Sequence, residues 1–202
     1  MGKMTYFETI YGATPIEDVS DLFPTHITKR SELNEWEAAN ILKAAKKYLT
    51  IRKPLKLTVD EIMTIHKNMF DETWKWAGNF RTKNYNIGVD WHNIRDQLKL
   101  LVDDLNAWQK DKHFDLFEQS VRLHHRLVKI HPFVNGNGRH ARLVSDIFLF
   151  SHGQQLPTWP NQKLIEETDV RKRYIDALRS ADKGDYKLLE DFTRNLVEGK
   201  TL

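Results

Sequence analysis

Six residues able to do chemistry together fall within twelve positions: His131, the pair Gly136 and Gly138 around Asn137, and Arg139 and Arg142. A glycine-rich turn that opens a helix presents free backbone N–H groups at the positive end of the helix dipole, which favours an anion. Arg139 and Arg142 are three residues apart, so both guanidinium groups leave one side of the first helical turn. Guanidinium forks match the geometry of phosphate oxygens. His131 stands at the entrance to the same loop and titrates near neutrality, as a general base must. The set predicts a polyphosphate site with a base beside it. Asn-Gly pairs are also ordinary turn residues, so the four-residue run alone is equally the signature of a plain turn.

Two helices must hold this loop. From about Asp115 to Ile130, apolar residues recur at Phe117, Val121, Leu127, Val128 and Ile130, with Glu118, Arg122, His125 and Lys129 opposite. The proline after His131 drives that histidine out of the α region and ends the helix. Leu143, Val144, Ile147, Phe148 and Phe150 mark the second helix.

Upstream, Ser31 is a suitable N-cap for a helix to about Leu49. Its apolar stripe reads Ala38, Leu42, Ala45 and Leu49, and extends backwards to Glu35 and Ser31. Glu35 is then either a carboxylate facing the core, in need of a partner, or a solvated group at the frayed end. Thr58-Val59-Asp60-Glu61 is a capping box that opens a helix with Ile62, His66, Met69 and Phe70 on one face. His66 reads as a core histidine. Ile87, Val89 and Trp91 alternate, which suggests a short hairpin. Ile94, Leu98, Leu101, Leu105 and Trp108 mark a long amphipathic helix, and two more follow near 164–179 and 185–197. His124 and His125 are adjacent on a helix and point about 100° apart, with no third ligand at zinc spacing, so a metal site there is disfavoured.

Composition sets outer bounds. The 202 residues include 31 basic and 28 acidic side chains, for a net charge of +3, too even a balance to predict nucleic-acid binding. There is no cysteine, which excludes disulfides and thiolate metal sites. No apolar run approaches the ~18 residues of a membrane span and no signal-peptide core is evident, so the expectation is a cytoplasmic chain that does not contact membrane. Residues 1–30, with Pro15 and Pro24, show little periodicity and read as an irregular arm packed through Tyr6, Phe7, Leu22 and Phe23. Residues 31–198 read as one domain. The oligomeric state is not legible.

The loop string His131 to Arg142 resembles the signature of the Fic family, H-x-F-x-[D/E]-G-N-G-R-x-x-R, and departs from it at Asn135, where the family has a carboxylate. The likeness extends over about residues 30 to 198, through Trp76-Ala77-Gly78-Asn79-Phe80-Arg81 and Tyr174-Ile175-Asp176-Ala177-Leu178. Ser31-Glu32-Leu33-Asn34-Glu35 is similar to the family's inhibitory helix, [S/T]-x-x-x-E-[G/N], with Trp36 in place of the small residue, and the segment resembles the branch called mobile mystery protein B.

This resemblance implies an all-α, Fic-type helical bundle with a short β-hairpin flap. It implies a protein adenylyltransferase that moves AMP from ATP to a Ser, Thr or Tyr hydroxyl of a target protein. His131 would be the base. Gly136, Asn137, Gly138, Arg139 and Arg142 would bind nucleotide, and Ser31 and Glu35 would inhibit, with Arg142 as Glu35's partner. Asn86, Ile87, Gly88 and Val89 would form the flap that docks the target. Asn135 would be a weak ligand for Mg²⁺. The alternatives are a catalytically weak nucleotide-binding module, of regulatory or toxin–antitoxin type, and transfer of another phosphate-containing group.

Overall fold

The computed structural model describes residues 20–166 and 168–200. The expected packing of Tyr6 and Phe7 lies outside them. Among the described residues eight α-helices follow in order: α1 Arg30–Leu49, α2 Val59–Phe70, α3 Ile94–Asp111, α4 Leu116–Ile130, α5 Asn137–Ser151, α6 Asn161–Ile165, α7 Asp169–Asp182 and α8 Lys187–Val197. The all-α expectation holds. No helix among the described residues is long and apolar enough to cross a membrane.

Helices α4 and α5 are the central pair. On one side α1, α2 and α3 share a core with them, built on Leu33, Ile62, Ile65, Met69, Phe70, Leu98, Leu101, Leu127, Val144 and Phe148. On the other side α6, α7 and α8 form a smaller core against Val121, from Leu164, Tyr174, Leu189 and Phe192.

Local chemistry explains the helix starts. Thr58 accepts from the Glu61 N–H at 3.0 Å, the N-cap half of the expected capping box. Asp115 and Glu118 cap α4 reciprocally, at 2.8 and 2.9 Å. The stretch expected as one helix near 164–179 is two, because the Thr168 side chain caps a new start at α7.

Three expectations are corrected. Helix α1 begins before Ser31: Lys29 is the N-cap, and the Glu32 carboxylate accepts from the Thr28 and Lys29 N–H groups. Second, α1 is turned the other way. Its buried residues are Leu33, Glu37, Asn40 and Ala44, while Ala38 and Leu42 are exposed. Polar Glu37 and Asn40 are buried because distant groups satisfy them. Asn40 accepts from the Glu72 N–H at 3.0 Å and donates to the Asn68 carbonyl at 3.2 Å. Third, there is no hairpin. Strand pairing among the described residues is confined to two isolated bridges, Leu22 with Trp74 and Phe80 with Phe133. Leu22 is buried as expected, whereas Phe23 is exposed.

Candidate active site

Helix α4 ends at His131, which adopts the left-handed conformation (φ 53°, ψ 59°) while its N–H still bonds the Leu127 carbonyl at 3.1 Å. A non-glycine residue held there marks a backbone fixed by its surroundings. Arg81 supplies the fixing: its Nε donates to the His131 carbonyl at 2.7 Å, and the guanidinium also bonds the Val89 and Lys83 carbonyls. One buried cation thus replaces the cross-strand bonds of the expected hairpin, and residues 86–89 run as bends beside His131. Gly88 (φ 98°) packs so closely that a Cβ there would lie 2.7 Å from the His131 Cβ. The segment Asn86–Val89 therefore sits beside His131, without the strand structure of the expected flap. Ile87 remains exposed.

The His131 ring is buried and hydrogen-bonded to the Val128 backbone, and burial lowers its pKa to about 4. It is neutral at physiological pH, the form that accepts a proton.

After His131 the loop is braced from inside. The Asn137 amide bonds the Phe133 N–H and carbonyl, both at 2.9 Å. Its oxygen and one N–H serve the loop, which leaves its second N–H for a ligand. His66 is stacked on Phe133 with centroids 3.6 Å apart. Its Nδ1 accepts from Gly78 N–H at 3.0 Å, so Nε2 carries the proton and donates to the Asn135 carbonyl at 3.1 Å. The histidine is a core residue, as expected, and it also sets the loop's backbone. Gly136 (φ 76°) caps α5, with the Phe70 ring where a Cβ would be.

Arg139 and Arg142 leave the first turn of α5 as expected, but to different environments. Arg139 pairs with Glu37 at 2.6 Å and lies over the Phe70 ring. The second oxygen of Glu37 accepts from the Trp74 indole at 2.7 Å. Arg142 is buried against the rings of Trp159 and Tyr174. The carboxylate facing the loop is therefore Glu37, and its partner is Arg139. Glu35 and Ser31 are exposed on the outer face of α1, so the expected Glu35–Arg142 pair is corrected. The apolar stripe that placed Glu35 inward is split: Ala38 and Leu42 face solvent with Glu35, whereas Ala45 and Leu49 pack against the edge of the core.

One cavity of about 590 Å³ joins these groups. His131, Asn135 to Arg139 and Arg142 line its floor, the flap at Ile87 to Val89 one rim, and α7 the far wall. From α1, Arg30 and Asn34 reach it.

The donor set does not suit a protein-held Mg²⁺. Asn135 offers a neutral Oδ1 that already accepts from the Gly136 N–H at 2.6 Å. No group of three His, Cys, Asp or Glu among the described residues could hold a metal ion. Mg²⁺ prefers carboxylate oxygen, and the carboxylate that lines the cavity, Asp182 on α7, is held by His125 and Lys129. His124 and His125 are structural, as their spacing suggested: His124 Nε2 meets the Tyr174 hydroxyl at 2.7 Å, and His125 meets Tyr186 and Asp182 at 2.9 and 3.0 Å. His125 is buried rather than on the polar face of α4.

The residues that sequence reasoning missed are Glu37, Trp74, Arg81 and Tyr174. Glu37 lies two positions from Glu35, and the signal that favours it is its place in the row Leu33, Glu37, Asn40, Ala44.

Residues 56–149 match the model of the Fic/DOC family. That stretch, from the start of α2 to near the end of α5, is where the likeness to the family lies. It is similar to protein adenylyltransferase Fic of Drosophila erecta, 24% identical over 214 residues that cover 99% of this chain and 42% of that one. Protein adenylyltransferase fic-1 of Caenorhabditis elegans is 31% identical over 137 residues, 65% of this chain and 25% of that one. The chain thus spans less than half the length of these curated relatives. Its fold matches the crystal structure of BepC from Bartonella tribocorum with bound AMPPNP, at TM-score 0.64 and 20% identity, over 84% of this chain and 88% of that one.

Proposed function

We propose that the chain transfers AMP from ATP to a hydroxyl side chain of a target protein. The observation that carries this reading is the placement of a neutral, buried His131 in the same cavity as Arg139, Arg142 and the start of α5. The relatives named protein adenylyltransferase support it at family level. The triphosphate lies across the N-terminus of α5, where backbone N–H groups and Arg142 meet its oxygens. The target hydroxyl oxygen bonds to the α-phosphorus. The bond from that phosphorus to the bridging oxygen breaks, and pyrophosphate leaves. The hydroxyl proton passes to His131. The Ser, Thr or Tyr that carries the hydroxyl arrives on a segment laid against the flap.

Glu37 regulates this site. Its pair with Arg139 occupies a guanidinium that the triphosphate needs. A second reading, a nucleotide-binding module with weak transfer, is favoured by the same pair together with the neutral Asn135. Incubation with labelled ATP separates the two. Label on protein from Glu37→Gly, lost again in Glu37→Gly/His131→Ala, supports transfer. Nucleotide binding without label in Glu37→Gly supports the module.

A further inference from the structure

The peptide that joins Asn135 to Gly136 lies on the floor of the cavity and can face two ways. A trans peptide is planar, with its C=O and N–H pointing in opposite directions. The Asn135 carbonyl points inward, to His66 Nε2 at 3.1 Å. The Gly136 N–H therefore points away from His66, toward the cavity that both loop residues line. Turned over, the same peptide would present a carbonyl oxygen there and repel a phosphate. The backbone alone does not decide between the two. Turning the peptide reverses the sign of φ at Gly136, now 76°, and glycine takes either sign about equally well.

Neighbouring carbonyls of the loop are held by other groups. That of His131 accepts from Arg81 Nε at 2.7 Å, that of Pro132 from the Arg81 N–H at 2.9 Å, and that of Phe133 from the Asn137 amide. For the Asn135 carbonyl the holding group is His66. The histidine is wholly buried on α2 and stacked on Phe133, with 11° between the rings. The Gly78 N–H occupies its Nδ1, which keeps the proton on Nε2. Burial pushes its pKa well below the usual value, so the ring stays neutral and this tautomer persists. On the far side of the peptide, the Asn135 side-chain oxygen meets the Gly136 N–H at 2.6 Å. That side chain is partly exposed and lines the cavity, so its oxygen sits where a ligand oxygen would.

We infer that His66 is a positioning residue which, by holding the Asn135 carbonyl in the core, aims the Gly136 N–H into the cavity as a donor to a phosphate oxygen, with the Asn135 side chain as stand-in until the ligand arrives. This rests on the nucleotide reading above and adds the group that orients one of its backbone donors.

The experiment uses ATP and inorganic tripolyphosphate as calorimetric probes, with NMR of the Gly136 amide, on the full chain in the Glu37→Gly background so that Arg139 is released. Saturating tripolyphosphate should move the Gly136 amide proton downfield in this parent, because a charged acceptor replaces a neutral one. His66→Phe keeps a ring against Phe133 and removes both hydrogen bonds. It should weaken both probes about tenfold, the scale of one hydrogen bond to a charged group, and abolish the amide shift. His66→Gln retains a donor for the Asn135 carbonyl and should recover most of the affinity and the shift. Equal binding by His66→Phe and its parent overturns the inference and leaves the phosphate site standing. So does a loss as large in His66→Gln as in His66→Phe, or a loss with the amide shift intact, since packing alone would then account for it. The parent measurement decides even where His66→Phe does not fold: a Gly136 amide that bound tripolyphosphate leaves unmoved overturns the inference. Failure of the parent to bind ATP or tripolyphosphate at all overturns the phosphate-site reading, and this inference with it.

Discussion

Glu37 and Arg139 form an ion pair at 2.6 Å across the junction of α1 and α5, 102 residues apart in sequence, with the carboxylate almost wholly buried. The pair ties a helix outside the loop to the first turn of the helix that the loop opens. Removing Glu37 leaves a guanidinium with its principal partner gone and an indole N–H with no acceptor. Glu37→Gln should cost about 3 kcal/mol of stability, the lower end for breaking a buried pair, since Arg139 is partly exposed. It should also raise nucleotide affinity and self-labelling. Glu35→Ala, on the exposed face, should change stability by no more than about 0.5 kcal/mol. Urea denaturation and labelled-ATP assays of the two variants check this.

His131→Ala should lower transfer by about 10²–10⁴-fold while nucleotide affinity stays near that of the parent. Because burial lowers the imidazole pKa to about 4, the acid limb of the rate profile should fall near pH 4 and not near 6.5. A pH–rate profile of the Glu37→Gly protein reads this directly. A midpoint at 6.5 would contradict the burial described.

The buried histidines also predict how stability varies with pH. His124, His131 and His140 are held neutral by burial, with pKa values lowered from 6.5 to about 3, about 4 and about 4. Between those values and 6.5 the unfolded chain binds protons that the native chain refuses. Their contribution is therefore complete above pH 6.5 and is lost as the pH falls toward 4. Asp146, raised from 3.8 to about 7 by burial, acts in the opposite sense, and its contribution disappears as the pH rises through 7. Three histidines outweigh one aspartate, so unfolding free energy should climb from pH 4 to 6.5. Chemical denaturation at half-unit pH steps tests the slope. A flat or falling curve would show that the imidazoles are solvated.

Gly136→Ala should destabilise the loop by well over the ~1 kcal/mol that a strained left-handed alanine costs, because the new methyl would meet the Phe70 ring at 2.4 Å. Gly138→Ala meets only an ordinary contact, 3.7 Å from Arg142 Nη1, and should be mild for folding. Thermal melts rank the two.

Asn135→Asp would place a carboxylate where the family signature has one. In the Glu37→Gly background it should lower the Mg²⁺ concentration at half-maximal transfer, read by titration of MgCl₂ against EDTA-treated protein. Loss of a robust activity instead would show that the amide was required.

The parts of the site legible in the sequence are those whose physics is local. Thr58 with Glu61 announces α2, and the glycines announce the turn that opens α5 with Arg139 and Arg142 in its first turns, because caps and turns are read within four residues. The face of α1 was not legible. Periodicity favours Ala38, Leu42, Ala45 and Leu49 as a buried stripe, but burial of Glu37 and Asn40 is decided by Trp74, Arg139 and Glu72, far away in the chain. The hairpin was misread for a related reason: alternation at Ile87, Val89 and Trp91 mimics a strand, while the bonds that shape the segment come from the Arg81 side chain.

That arginine has a mechanical consequence. Its guanidinium holds the His131 carbonyl at one corner and the Val89 carbonyl at another. The base and the segment beside which a target would lie are thereby gauged from a single rigid plane, with Gly88 as the spacer between them. A displacement of either is transmitted to the other, so under the proposed transfer a hydroxyl laid against residues 86–89 would meet the histidine at a distance the protein has already chosen.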